Sequence, residues 1–137
     1  MATQPDSGPS AEIIADVFQR GCTSRQALET VTGRWGVLTV AGLRDGAIRF
    51  NALRRRIDGV SEKMLAQTLQ ALERDGIVIR EARATLPPHV EYRLSGLGER
   101  VADRLIGLIE VLEDSVPEVS AAQRAYDRRD RAQPKVD

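Results

Sequence analysis

The sequence of residues 49–98 is RFNALRRRIDGVSEKMLAQTLQALERDGIVIREARATLPPHVEYRLSGLG, and this stretch decides the fold. Its patterns predict, in order, a short helix, a turn, a longer helix and two strands around a Pro-Pro loop. Asn51 is a good residue to cap the short helix, in which Leu53 and Ile57 share one face. The pair Asp58-Gly59 then supplies the turn between the two helices.

The longer helix is predicted at residues 62–75. Ser61 precedes it and is a favourable N-cap, because a serine hydroxyl satisfies a free N–H of the first turn. Gly76 ends it, since glycine tolerates the left-handed conformation of a helix C-terminus. Three apolar residues recur within it at helical spacing: Leu65, Leu69 and Leu72.

Two strands are predicted at residues 77–84 and 90–94, where β-branched and alternating residues favour extended structure. Pro87-Pro88 belongs at the tip between them, because proline donates no ladder hydrogen bond, and Ile48 can add a short third strand. This order describes a winged helix-turn-helix: mainly α with a small β-wing, in the α+β class. Such a unit can place one helix in the DNA major groove while the hairpin grips the neighbouring backbone.

Further helices are predicted on both sides of this unit, at residues 11–20, 25–32, 35–44, 96–115 and 117–129. Ser24 is expected to cap the second of them, and the third is apolar nearly all round. The long helix at 96–115 has more apolar surface than one small domain needs, and the apolar first helix has no place in a minimal winged helix. We therefore expect dimerisation helices at about 11–21 and 96–129. The predicted division is a disordered tail at 1–10, a single winged-helix domain at 11–130 with a DNA-binding core at about 34–95, and a frayed tail at 131–137.

The chain resembles the HxlR-type transcriptional regulators, a bacterial winged-helix family similar in shape to the MarR group. Four blocks carry the resemblance, which spans about residues 22–112: Cys22 thirteen positions ahead of Trp35 in TGRW, RFNALR at 49–54, LQALERDG at 69–76 and PPHVEYRLSGLG at 87–98. Thr23 stands where the family usually has proline, and Asn51 where it often has serine. The resemblance implies a DNA-binding regulator of transcription.

Composition excludes several other functions. The chain has 137 residues with one Cys and one His, and no glycine loop for phosphates or cluster of metal ligands is evident. We therefore expect neither an enzyme nor a protein that needs a cofactor or metal. No apolar run is long enough to span a membrane and no signal peptide is evident, so a cytoplasmic bacterial protein is expected. The net charge is zero, yet residues 34–93 carry a net charge of +4 and each flank carries −2, which suits a DNA-binding module.

The outward face of the longer helix is predicted to contact bases. Gln can bind the edge of adenine and Lys the edge of guanine in the major groove. The predicted contacts are Ser61, Lys63, Ala66, Gln67, Gln70 and Arg74, of which Arg74 either reaches phosphate or pairs with a neighbouring acid. The alternative is an ordinary solvated helix face.

Cations around this helix are predicted to contact the DNA backbone. Arg54 and Arg55 end the short helix and can hold phosphates, although cations near a helix C-terminus are also favourable by themselves. Asn51 in the same helix is included among the DNA contacts. In the wing, Arg83 and His89 are expected near the minor groove. Arg80 and Arg93 can instead pair with Glu81 or Glu91 across the hairpin.

Cys22 is the candidate sensor residue. A thiol near a helix N-terminus is favoured as the reactive thiolate, and the resemblance implies sensing of oxidants, quinones or aldehydes at this position. The alternative is a small buried hydrophobe. With one cysteine per chain, oxidation yields a disulfide across a dimer or a mixed disulfide with a small thiol.

Two other mechanisms stay open. In the first, a non-covalent small ligand switches the regulator by binding in a pocket lined by Phe18, Trp35 and Phe50. The alternative for these three aromatic residues is that they are part of the hydrophobic core. In the second, the winged helix binds another protein, although its polar outward face favours DNA.

We predict a homodimer that binds a palindromic operator. We expect it to repress a nearby gene, because blocking a promoter needs no partner surface.

Overall fold

The computed structural model describes residues 15–132, which fall into two compact units divided between Ala102 and Asp103. The helices are α1 (Thr23–Thr32), α2 (Gly36–Gly42), α3 (Phe50–Arg56), α4 (Glu62–Arg74), α5 (Gly96–Asp114) and α6 (Val116–Ala132). The strands are β1 (Ile48–Arg49), β2 (Val78–Arg83) and β3 (His89–Leu94). They form an antiparallel sheet in the order β1-β3-β2. The predicted α+β winged helix, including the short strand at Ile48, is confirmed.

The core of the first unit is built around α4. Leu65, Leu69 and Leu72 are 0%, 1% and 0% exposed, and the helix packs against α1, α2 and β2. Burying each leucine stabilises the fold by roughly 1.5–3 kcal/mol. The opposite face of the helix therefore has to point away from the core.

The ends of α4 follow the sequence prediction closely. The Ser61 hydroxyl accepts a hydrogen bond from the Met64 amide at 3.1 Å, which satisfies a free N–H of the first turn. Gly76 has a φ of +76° and Gly59, in the turn before α4, a φ of +89°. These are left-handed conformations that side chains rarely adopt, so the two glycines fix both the turn and the helix end.

Two helices, α3 and α2, differ from the prediction. Asn51 does not cap α3, which begins at Phe50 with Arg49 as its N-cap and no side-chain cap bond. The reason is that Arg49 is extended as part of β1, so the helix starts directly after the strand. Helix α2 is shorter than residues 35–44, and its exposed Leu38 shows that it is not buried all round.

The predicted helix at residues 11–20 is wrong over the part that the structure describes. Residues 15–21 contain turns but no helix. The Asp16 carboxylate accepts from the Phe18 amide at 3.1 Å, and its carbonyl accepts from the Gln19 amide at 2.9 Å. Aspartate commonly forms such local turns in competition with helix. Residues 1–14, with the predicted tail, and residues 133–137 lie outside the described residues.

The second unit contains most of α5 and all of α6. Several large apolar side chains of this unit are exposed: Leu108, Val111, Leu112, Val116, Val119 and Tyr126. Within α6, none of the residues is buried. Across residues 15–132, no helix is both long enough and apolar enough to cross a membrane.

Ser95 joins the end of the hairpin to the start of α5. Its hydroxyl donates to the Gly76 carbonyl at 2.6 Å and accepts from the Gly98 amide at 3.0 Å, while its amide donates to the Ile77 carbonyl at 3.0 Å. Gly98 passes so close to this carbonyl that an added Cβ would collide with it. The close approach sets where the base of the wing meets the helix.

Gly98→Ala is therefore expected to destabilise the protein by about 1–3 kcal/mol, because overpacking forces the backbone to shift. Gly96→Ala in the same helical turn is the matched control, since nothing lies within 4 Å of the added Cβ. Urea unfolding of both variants measures the difference. Equal stability of the two variants would contradict the close approach.

Candidate nucleic-acid interface

The outward face of α4 presents polar and charged side chains. Lys63, Gln67, Gln70 and Arg74 are exposed and Ala66 is half-buried. Ser61 is exposed too, although its hydroxyl oxygen serves as the cap of the helix. Helical spacing places Lys63, Ala66, Gln67, Gln70 and Arg74 on the side of α4 opposite the buried leucines. This side offers amide and ammonium groups of the kind that bind base edges.

Helix α3 places three arginines in its last turn, of which Arg54 and Arg55 are among the predicted DNA contacts. Both are exposed, as is Asn51, while Leu53 on the opposite side is buried. The helix is thus anchored by its apolar side and leaves its polar side in solvent. Such a surface can hold DNA phosphates without reading sequence.

The wing carries an alternating network of charges on one face. Glu81 and Glu91 lie directly opposite each other on β2 and β3. Arg93 binds Glu81 at 2.8 Å, and Arg83 binds Glu91 at 3.2 Å and approaches Glu81 at 3.5 Å. His89 Nε2 lies 2.9 Å from Glu91. The facing carboxylates are therefore held together by the cations around them.

The two carboxylates remain charged because of these contacts. The hydrogen bond from Arg93 is the main reason that the pKa of Glu81 is lowered, and the bond from His89 is the main reason that the pKa of Glu91 is lowered. The predicted pairing of Arg93 with Glu81 is present. Arg83 and His89, predicted to approach DNA, also bind carboxylates of the wing, so the positive charge of Arg83 is partly offset.

A cleft of about 470 Å³ lies between the start of α3 and the wing. Its polar lining residues are Arg49, Asn51, Arg55 and His89. Arg49 was not among the predicted contacts. Its position in the strand register could have identified Arg49, because β1 places it opposite Glu91 on β3 and therefore beside the wing.

Cys22 is itself the N-cap of α1, whereas the sequence pattern had assigned the cap to Ser24. The Cys22 sulfur accepts a hydrogen bond from the Arg25 amide at 3.1 Å, which lets the helix begin at Thr23. The sulfur also lies 2.8 Å from the Asp16 carbonyl and 3.3 Å from the Ser24 hydroxyl. The side chain is 0% exposed, so a reagent reaches it only when the surrounding structure opens.

The hydrogen bonds decide the acidity of this thiol. Burial is the largest single influence and raises the pKa of Cys22, but the hydrogen bonds of the sulfur, led by those from the Ser24 hydroxyl and the Arg25 amide, together lower the pKa by more, so that it lies below the ordinary value. The Asp16 carbonyl can only accept, and its bond to the S–H has to break when the thiol ionises. The N-cap position thus favours the thiolate, while burial limits its access to solvent.

The three aromatic residues proposed to line one ligand pocket lie apart. Phe18 is 87% exposed. Trp35 lines a depression of about 280 Å³ beside Gln67 and Met64 of α4, whereas Phe50 lines the cleft beside the wing. Phe50 also packs against Tyr92, with ring centroids 6.5 Å apart. The structure therefore does not bring the three together. Within residues 15–132, no three His, Cys, Asp or Glu side chains are grouped to hold a metal.

Helix α4 with its polar outward face, the preceding α3 and the following hairpin define a winged helix-turn-helix protein. Residues 30–120 match the family of HxlR-like helix-turn-helix proteins. The chain belongs to this family.

Known relatives agree with this assignment. The uncharacterized HTH-type transcriptional regulator YtfH of Escherichia coli strain K12 is 52% identical over 108 residues, which cover 79% of this chain and 86% of that protein. Among solved structures, a putative transcriptional regulator, ytfH from Salmonella typhimurium, is 50% identical and superimposes with a TM-score of 0.74. The matched residues cover 80% of this chain and 97% of the Salmonella chain.

A third similar structure is the redox regulator HypR in its oxidized form. It is 33% identical with a TM-score of 0.62, and the matched residues cover 68% of this chain and 96% of the HypR chain. The relatives are regulators of transcription with a helix-turn-helix, and the chain is a DNA-binding transcriptional regulator of the same kind.

Ser24→Ala is expected to raise the pKa of Cys22, because it removes the hydroxyl that stabilises the thiolate. The ultraviolet absorbance of the thiolate, followed against pH, measures the change. Thr23→Ala, an exposed neighbour, is the control and should leave the pKa in place. The same pKa in wild type and Ser24→Ala would rule out the assigned hydrogen bond as a cause.

Proposed function

We propose that this regulator binds a palindromic operator as a homodimer and represses a nearby gene, with α4 reading bases in the major groove. The observation that carries the proposal is the division of α4 into a buried leucine face and an exposed polar face. Lys63, Gln67 and Gln70 on the exposed face suit direct contacts to bases. Such a protein would act on DNA in the bacterial cytoplasm.

The homodimer is supported by the second unit. Residues 103–132 form the second compact unit and expose Leu108, Leu112, Val116 and Val119. Exposed apolar side chains in such number favour an interface with another surface. A second copy of the chain is the proposed partner, because two-fold operators are read by two-fold dimers.

Repression is proposed in preference to activation. A dimer that covers a promoter blocks transcription by occupancy alone, without a further surface for the polymerase. The exposed face of α4 also argues against a winged helix used mainly for protein contact. Met64 is its only large exposed apolar side chain among residues 62–74, whereas protein-binding surfaces tend to concentrate aromatic residues and Met.

Release from DNA is proposed to follow modification of Cys22. The thiol caps α1 and has a lowered pKa, and the similar protein HypR is named a redox regulator. Oxidation would replace the hydrogen bonds of the sulfur to Asp16 and Arg25 with a covalent bond to a second thiol. The cap of α1 would then change, and α1 packs directly on α4. A non-covalent ligand is less favoured, because the proposed aromatic residues lie apart.

The operator test compares Gln67→Ala with Gln26→Ala, which removes an exposed glutamine from α1 instead of α4. Gln67→Ala is expected to weaken specific binding by about 1–3 kcal/mol, the value of a good bidentate base contact. Binding to random duplex should change little. Gel shifts with the DNA upstream of the gene measure both affinities, and sizing measures the dimer. Wild-type affinity of Gln67→Ala on every operator variant would exclude this residue as a base contact.

The switch test uses diamide, which accepts two hydrogen atoms as two thiols join in a disulfide. Oxidation is expected to lower operator affinity in the wild type and to leave Cys22→Ser unchanged. Serine is the matched replacement, because its hydroxyl can cap α1 as the sulfur does. Mass spectrometry confirms that oxidation is complete. Unchanged operator affinity of the fully oxidised protein would leave Cys22 with a packing role.

A further inference from the structure

The cleft between α3 and the wing contains a group of hydrogen-bond donors that belong neither to the recognition helix nor to the wing tip. Arg49 comes from β1, Asn51 and Arg55 from α3, and His89 from β3. Four polar side chains from three elements therefore converge on one concave surface of about 470 Å³. Phe50, packed against Tyr92, forms its apolar part.

The hydrogen bonds of His89 fix the position of Arg49. Arg49 Nη2 lies 3.1 Å from His89 Nδ1. A guanidinium can only donate, so Nδ1 accepts this bond, and the Thr85 hydroxyl lies 3.1 Å from the same nitrogen. The other ring nitrogen, Nε2, lies 2.9 Å from Glu91. One of the five N–H donors of Arg49 is thus used for orientation, and the others remain for a ligand.

The charge of the cleft favours an anion. Its lining contains two arginines and no acidic residue. Glu91 is the nearest carboxylate on the wing, being opposite Arg49 in the strand register and bonded to His89. Its charge is already countered by Arg83 at 3.2 Å. Asn51 adds a neutral amide donor at the same cleft.

We infer that this cleft holds a phosphodiester of the DNA backbone, with Arg49 and Arg55 as its ligands and His89 as the residue that positions Arg49. The cleft adjoins α3, which precedes the recognition helix, so a phosphate bound there would fix the register of α4 on the duplex. Guanidinium groups match phosphate geometry and bind it in pairs of hydrogen bonds. The inference rests on the proposed binding of DNA and adds a defined backbone contact to it.

The test uses operator duplexes that each carry one neutral methylphosphonate in place of a phosphate. Wild-type protein is expected to lose affinity at one phosphate position in each half-site, and Arg49→Gln and Arg55→Gln should be insensitive at that position. Both variants should weaken operator and random duplex alike. The slope of log affinity against log salt should fall by about 0.9 for each protomer bound, the value for one phosphate contact.

Arg100→Gln is the matched control, because it removes an exposed arginine of α5 outside the cleft. It should keep the wild-type interference pattern and salt slope. Thermal unfolding checks that the variants are folded, and Arg55→Gln provides a second route if Arg49→Gln is unstable. The same interference pattern in the wild type and in both cleft variants would overturn the inference.

Two further outcomes separate the inference from the proposed function. If the wild type prefers its operator and the cleft variants show the wild-type methylphosphonate interference pattern, the cleft assignment fails and the proposed function stands. If the wild type binds no duplex, both fail. Calorimetric titration with inorganic phosphate tests the other source of the same chemistry. One outcome is that the wild type binds inorganic phosphate saturably, that Arg49→Gln loses this binding, and that the interference pattern is unchanged. This outcome would assign the cleft to free phosphate and overturn the DNA contact.

Discussion

The burial of one face of α4 is the constraint on which the rest of the structure depends. Leu65, Leu69 and Leu72 are almost completely buried against α1, α2 and β2. Because residues of a helix recur at fixed angles, burying these three fixes the direction of all the others. Gln67 and Gln70 are exposed as a consequence of core packing, so stability and the proposed recognition of bases depend on the same helix orientation.

The wing has a different relation between charge and function. A hairpin with several arginines suggests a strong grip on phosphate, yet Arg83 and Arg93 are bonded to Glu81 and Glu91. Exposed ion pairs of this kind contribute little stability each, but they hold the two facing carboxylates in place. The positive surface available to a backbone is consequently greater at α3 and in the cleft beside Arg49 than on the charged face of the hairpin.

The sequence predicted the elements that have strong local signals. Ser61, the leucine repeat and Gly76 together defined α4, and the Pro-Pro pair defined the tip of the hairpin. The errors arose where tertiary context decides. Asn51 lost the cap position because β1 pairs with β3 and leaves Arg49 extended. The apolar pattern of residues 11–20 suggested a helix, but hydrogen bonds of Asp16 form turns over its described part.

The candidate site was predicted only in part for the same reason. Periodicity alone was enough to place Lys63, Gln67, Gln70 and Arg74 on one face. Strand register was needed to see that Arg83 and His89 bind Glu91, and that Arg49 lies beside the wing. The capping role of Cys22 is visible only in the folded structure, because a sulfur that accepts from the Arg25 amide has no distinctive sequence pattern.

The exposed face of α4 is proposed to make direct contact with bases. Nuclear magnetic resonance of isotope-labelled protein, titrated with a duplex that the protein selects from a random library, tests it most directly. The side-chain amide signals of Gln67 and Gln70 should shift strongly on binding, and that of Gln26 on α1 should stay in place. Unshifted Gln67 and Gln70 signals in a saturated specific complex would contradict the account.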